Sequence, residues 1–367
     1  MQIKRIAITT GGGDAPGLNA VIRSTTVTAL RRGYEVVGIR DGYDGLLEPE
    51  RYGGKGLIHL EPASVRGITH LGGTILGTTN RGNPMKYPVK QPDGQVVETN
   101  RMDELIARFK DEAIDALVCI GGDGSLSIAA ALAQRGLRVV GVPKTIDNDL
   151  DETVITFGFD TAVSFATECL DRLHSTAEAH GRVIVVEVMG RYAGWIALEC
   201  GVAGSADVIL IPEIPYDVEM VVKKIVEREK HARPFSIVVI AEGAKEVGGR
   251  HSVLRAEPGR VERLGGAGEK LAELIRQRTS NDTRSVVLGH LLRGGRPTSF
   301  DRLISLRFGA AAVRALSEGN SGIMVALDPP TVRYVRLELA TRRMKSVPLD
   351  CDTILTARDL GICLGDA

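Results

Sequence analysis

The sequence predicts an α/β protein of two lobes, each a parallel-dominated sheet sandwiched by helices. Apolar runs of buried-strand type, such as KRIAITT (residues 4–10), LVCI (117–120) and RVIVVEVM (182–189), break into glycines or carboxylates at their ends. Stretches with helical spacing of apolar residues follow them, which is the rhythm of βαβ units. The 43 glycines among 367 residues exceed the usual share of roughly 7%. Many lie at strand ends, where they suit anion-binding turns better than disorder.

Taken in order, the strand at 4–10 turns through Gly11, Gly12, Gly13 and Asp14 into a helix opening near Pro16 and running past Leu30. A second strand covers 34–39 and ends in DGYDGL. The stretch LGGTILGTTNRGNP (71–84) reads as a loop whose one strong cation is Arg81. Residues 87–100 read as a surface hairpin about Asp93-Gly94, and 101–111 as a helix. Strands beginning at Leu117 and Val139 come next. A long helix follows over 160–179, with Val163, Ala166, Leu170 and Leu173 at core spacing. Strands at 182–189, 207–211, 235–241 and 284–289 alternate with helices at 218–231, 268–279 and 300–317; 323–327 is the last strand. The first lobe is expected over 1–150 and the second over 151–330, with 331–367 packing back.

Composition narrows the function classes. Lys plus Arg equals Asp plus Glu at 46 each, so no basic excess favours nucleic acid. No apolar run reaches the roughly 18 residues of a membrane span, and the opening residues lack a basic-then-apolar signal segment. The five cysteines (Cys119, Cys169, Cys200, Cys351, Cys363) show no metal spacing, and Cys119, Cys169 and Cys200 sit in apolar or helical surroundings, so reduced, buried thiols in a cytoplasmic protein are expected. A P-loop is absent, and GGGDAPG lacks the GxGxxG spacing of dinucleotide sites.

The chemistry concentrates at residues 117–151. In LVCIGGDGS a strand ends in a Gly-Gly-x-Gly turn that opens a helix, letting backbone N–H groups approach an anion. Asp123 in that turn could hold a hydrated Mg2+ bridging phosphate oxygens. In VVGVPKTIDNDLD, Asp147 and Asp149 follow a strand's C-terminal end, where ligands sit in open α/β sheets. An isolated Asp-Asn-Asp run is commonly just a turn. Together with a phosphate cradle and a metal carboxylate, it points to phosphoryl transfer.

GGDGS followed by PKTIDND resembles the phosphofructokinase family. GGGDAPGLN (11–19), GRVIVVEVMGRYAGW (181–195), AEGA (241–244) and VLGHLLRGG (287–295) resemble that family's blocks in its order, over residues 1–330. GGDGS alone also resembles NAD and lipid kinases; PKTIDND and MGR separate the families. The resemblance implies two Rossmann-like lobes that exchange segments. It also implies transfer of a terminal phosphoryl group from ATP, with Mg2+, to the 1-hydroxyl of fructose 6-phosphate, in a homodimer or homotetramer with shared active sites.

Carried over residue by residue, Asp147 matches the proton acceptor, and Asp149, Thr145 and Arg191 stand beside it in the catalytic set. Gly13, Arg81, Gly82, Gly122, Asp123, Gly124 and Ser125 match the donor site, with Asp123 as the metal carboxylate. Thr145, Ile146, Asp147, Met189, Gly190, Arg191, Glu242, His290 and Arg293 match same-subunit sugar-phosphate positions. Arg182 and Arg284 match arginines that reach in from a neighbouring subunit.

Two positions speak to the donor. Gly124 leaves room where pyrophosphate enzymes usually carry an Asp that would crowd and repel an ATP α-phosphate. Lys144 resembles pyrophosphate enzymes but also occurs in ATP enzymes, so Gly124 outweighs it. A pyrophosphate-dependent enzyme is the alternative reading, and a non-catalytic sugar-phosphate sensor the next.

Overall fold

The computed structural model describes residues 3–230, 235–249, 253–255 and 263–366. The chain divides into two compact units. The first comprises Met1–Thr145, Leu150–Gly158 and Arg293–Met344; the second comprises Ile146–Asp149, Phe159–Leu292 and Lys345–Ala367.

The first unit is built on a seven-stranded sheet. Its order is Thr331–Arg336, Ile323–Asp328, Arg138–Pro143, Ala116–Gly121, Arg5–Thr10, Glu35–Ile39, Leu57–His59. The five inner strands are parallel, and an antiparallel strand closes each edge. Alternate side chains of one strand enter opposite cores, as the two-residue period requires. Ile6, Ile8, Val118 and Ile120 pack with Ile22 and Phe308 on one face. Ala7, Leu117 and Cys119 pack with Phe109 and Leu126 on the other. Burial on both faces explains why these strands read as unbroken apolar runs.

The second unit holds a four-stranded, wholly parallel sheet in the order Thr283–Val287, Val183–Val188, Ser236–Ala241, Val208–Leu210. Val183, Val185, Val238 and Ile240 bury one face against Val221, Ile225, Leu271 and Ile275 of the helices Val218–Lys230 and Ala267–Arg278. The helices Phe159–His180 and Trp195–Ala203 also pack against this sheet.

The structure departs from the sequence expectations at several places. Residues 293–330 belong to the first unit rather than the second, because the Ser299–Ser317 helix packs on Leu18–Leu30 and Ile323–Asp328 pairs with Arg138–Pro143. A further strand, Thr331–Arg336, follows the one expected to be last. The helix Trp195–Ala203 was not expected: Ile196, Ala197, Leu198, Cys200 and Gly201 are all buried, so the segment lacks the polar stripe that betrays an amphipathic helix. Cys169 is only partly buried. His231, the expected end of one helix, lies outside the described residues.

Candidate active site

In the first unit, three loops meet. Gly11 N–H donates to the Ile120 carbonyl at 3.0 Å, Gly12 N–H to the Thr79 carbonyl at 3.2 Å, and the Thr78 hydroxyl to the Gly12 carbonyl at 2.6 Å. Glycine is needed where the loops touch. A Cβ on Gly11 would stand 2.5 Å from Ser125 Oγ, and one on Gly121 would stand 2.3 Å from Ser125 Cβ. Gly122 precedes the helix Asp123–Gln134, and a helix N-terminus turns backbone N–H groups and the positive end of the helix dipole towards an anion. Asp123 and Gly124 are exposed, and a Cβ on Gly124 would meet nothing within 4 Å.

Lys144 is only 4% exposed. Its N–H donates to the Gly121 carbonyl at 3.0 Å, and its ammonium donates to the Gly13 carbonyl. A buried cation therefore ties the two glycine turns together. Arg293 joins them: Nη1 donates to the Asp14 carbonyl at 3.2 Å and would lie 2.5 Å from a Cβ on Gly13. The structure thus brings Arg293, expected among the sugar-phosphate residues, against the turn expected to meet the donor. Arg81 is exposed, its N–H donating to Thr79 Oγ1 at 3.0 Å. A Cβ on the neighbouring Gly82 would lie 2.6 Å from Asp44 Oδ1.

Among the described residues there is no group of three or more His, Cys, Asp or Glu that could hold a metal ion. An exposed carboxylate such as Asp123 still fits Mg2+, which keeps several waters and binds through one or two carboxylates plus substrate phosphates.

In the second unit, residues collect at the C-terminal ends of neighbouring parallel strands, the position at which open α/β sheets bind ligands. Met189, Gly190 and Arg191 follow Val183–Val188, and Glu242 follows Ser236–Ala241. His290 sits exposed in the short 3-10 turn Gly289–Arg293 after Thr283–Val287. Glu242 N–H donates to the Val188 carbonyl at 2.9 Å and Gly243 N–H to the Gly190 carbonyl at 3.1 Å. This contact leaves no room for a side chain, since a Cβ on Gly243 would stand 2.0 Å from the Arg191 carbonyl. The Arg191 guanidinium lies 5.0 Å from the Tyr192 ring centroid.

Arg182 and Arg284 are elsewhere. Arg182 Nε donates to Asp282 Oδ2 at 2.6 Å, and Arg284 Nη2 lies 3.1 Å from Asp282 Oδ1. The two cations hold the Asp282 carboxyl below the usual range, Arg182 through its hydrogen bond most of all. Arg182 precedes the strand whose far end carries Met189 and Arg191, at about 3.3 Å of rise per residue. An extended arginine is far too short to span that strand, so Arg182 and Arg191 do not meet at one point within this unit.

Ile146–Asp149 is a short outlying piece of the second unit. Ile146 is fully buried, Asn148 is 4% exposed, and Asp147 and Asp149 are half-buried. Asn148 has φ +50°, a left-handed conformation that Asn tolerates better than most residues. Preceding this piece, the Thr145 carbonyl accepts from the Thr156 hydroxyl at 2.7 Å.

Three residues near this turn were not among the expected site residues. Lys345 N–H donates to the Asp149 carbonyl and its Nζ to Asn148 Oδ1, each at 2.9 Å. The Trp195 indole N–H donates to the Lys345 carbonyl at 3.1 Å, and Lys345 Nζ stands 5.6 Å from the Trp195 ring centroid. Glu199 completes the neighbourhood. Burial raises its carboxyl from the ordinary 4.5 to about 7, with a push from the Asp160 charge and an opposing pull from Lys345.

A raised folded-state value means that Glu199 favours the folded state below its ordinary value, and this contribution is lost as pH climbs from 4.5 towards 7. Glu199→Gln is therefore expected to gain on the parent between pH 5 and pH 8. The gain should be on the order of 2 kcal/mol after allowance for partial solvent screening. Denaturant unfolding at the two pH values checks it, and equal pH slopes for both proteins would remove Glu199 from this role.

The chain matches the family profile described as Phosphofructokinase over residues 5–316. It is 47% identical to ATP-dependent 6-phosphofructokinase 2 of Clostridium perfringens, covering 99% of each chain. It is also 47% identical to the pyrophosphate–fructose 6-phosphate 1-phosphotransferase of Amycolatopsis mediterranei, over 94% of this chain and 97% of that one. Among solved structures it resembles Pichia pastoris phosphofructokinase in the T-state, with TM-score 0.79 and 30% identity. That match covers 93% of this chain but only 36% of the Pichia chain.

Proposed function

The chain belongs to the phosphofructokinase family, and from that premise we propose that it transfers the terminal phosphoryl group of ATP to the 1-hydroxyl of fructose 6-phosphate. The products are fructose 1,6-bisphosphate and ADP. The observation that carries the ATP reading is the open space at Gly124, beside the exposed Asp123 at a helix N-terminus.

A loose phosphoryl transition state asks for in-line positioning and neutralised oxygens more than covalent help. On the donor side, the glycine-turn amides and the Lys144 ammonium supply fixed positive charge to the polyphosphate. Asp123 would hold Mg2+, which neutralises charge on the transferring group. On the acceptor side, Asp147 takes the proton of the 1-hydroxyl as its oxygen bonds to phosphorus and the bond to the ADP oxygen breaks. Asp149 and Thr145 flank it, with Ile146 in the pocket wall. Met189, Gly190, Arg191, Glu242 and His290 face the sugar phosphate, and Arg293 stands at the turn that carries Gly13.

Arg182 and Arg284 complete the 6-phosphate site of another copy in a homodimer or homotetramer. Their place at the opposite end of the strand from Arg191 supports this, because one chain cannot bring them to its own acceptor residues. No helix of the described residues is long and apolar enough to cross a membrane.

Initial rates with fructose 6-phosphate and Mg2+ test the reading, with ATP in one arm and pyrophosphate in the other, each over a dilution series. Turnover with ATP alone, falling in specific activity as the assembly dissociates, is expected. Turnover with pyrophosphate alone would overturn the donor assignment, and a fully active monomer would overturn the shared site.

A further inference from the structure

The Ile146–Asp149 turn belongs to no named strand or helix, lying between the strand Arg138–Pro143 and the helix Phe159–His180. A segment nearly two hundred residues later lashes it down. Lys345 grips the turn twice, by its N–H on the Asp149 carbonyl and its ammonium on Asn148 Oδ1. The grip is itself anchored. The Lys345 carbonyl accepts the Trp195 indole N–H, its ammonium lies over the Trp195 ring, and Val347 N–H donates to Glu213 Oε1 at 2.8 Å. Glu213 in turn accepts from Gly194 N–H at 3.0 and 3.1 Å, just before the helix that carries Trp195.

We propose that Lys345 is a positioning residue for phosphoryl transfer, holding Asn148 in its left-handed conformation and thereby setting the place of the Asp147 carboxylate beside it. This inference rests on the reading of Asp147 as the proton acceptor. The ammonium–amide bond is charge-assisted and partly withdrawn from water, so it is stronger than a neutral pair. An Asn at φ +50° is less costly than most residues there but still lies above ordinary backbone, so contacts from its surroundings help to fix it. Lys345 supplies the hold through the side chain and fixes the adjacent peptide through the backbone. Misplacement of a catalytic group by about 1 Å costs on the order of 10²-fold in rate.

The test compares Lys345→Met, which keeps the aliphatic stem, with Lys345→Arg, which keeps the charge. Both are measured for kcat, for KM towards fructose 6-phosphate and for emission of Trp195, the one tryptophan in the chain. Lys345→Met is expected to lower kcat roughly 10–100-fold with KM changed less than about threefold, and to shift the Trp195 emission. Lys345→Arg should recover a substantial part of the rate. Asn148→Gly keeps the positive φ available while deleting the acceptor. It should lose about as much as Lys345→Met, and the double variant no more than either alone.

A Lys345→Met enzyme within twofold of the parent kcat would overturn the inference. So would parallel losses in kcat, KM and thermal midpoint that Lys345→Arg does not relieve. Absence of any turnover by the parent chain would instead sink the functional reading, and the inference with it.

Discussion

Asp147→Asn is expected to lower kcat by roughly 10²–10⁴-fold, the usual worth of general acid–base help, while fructose 6-phosphate still binds. The substitution keeps the shape of the side chain and removes its ability to take a proton. It should therefore act on the step in which the 1-hydroxyl attacks and leave the ground-state contacts of Arg191, Glu242 and His290 in place. Steady-state kinetics separate the two possibilities: a fall in kcat with near-constant KM marks lost transition-state stabilisation, whereas a rise in KM alone marks lost binding. Near-normal turnover of the purified variant would take Asp147 out of the proton-acceptor role.

Gly124→Asp should produce the second large effect, in the choice of donor. A Cβ at residue 124 meets nothing within 4 Å, so the new side chain would fit the fold and project into free space beside Asp123. The protein should therefore fold normally, and any change is chargeable to the ligand. Two unit charges about 4 Å apart at an effective dielectric constant near 20 repel by about 4 kcal/mol. Specific activity with ATP is then expected to fall roughly 10²–10³-fold in kcat/KM. Pyrophosphate, which has no α-phosphate at that place, should be spared. Lys144 remains beneath both glycine turns, bonded to the Gly121 and Gly13 carbonyls through its N–H and its ammonium, and it offers the same cation to either donor. An unchanged ATP rate would show that residue 124 does not face the α-phosphate.

Much of this was legible in the sequence for a local reason. Strands such as Ala116–Gly121 and Val183–Val188 are buried along their whole length, so their apolar runs announce them, and the glycines and carboxylates at their ends mark where a ligand can come close. The hairpin Tyr87–Lys90 with Val96–Thr99 was equally plain from its turn residues. What stayed hidden depends on contacts distant in the chain. Nothing in TRRMKSV says that Lys345 reaches Asn148, and nothing in the VLGHLLRGG block says that Arg293 lies against Gly13. The helix Trp195–Ala203 escaped because burial on every side erases helical periodicity. Thr331–Arg336 escaped because an edge strand with exposed and half-exposed positions lacks the apolar signature of its inner neighbours.

The separation of Arg182 and Arg284 from Arg191 along the sheet has a consequence for mixed populations of chains. Where these arginines serve another copy, a chain that loses Arg182 keeps its own acceptor residues and damages its neighbour's site. A chain that loses Asp147 damages only the site it houses. The two defects then sit in different compartments of the assembly. Co-assembled chains, one bearing each lesion, would contain some sites free of both, so that two inactive proteins could restore activity to each other. In a mixture with normal chains either lesion alone disables the same share of sites, so mutual rescue between the two lesions is what marks the shared site.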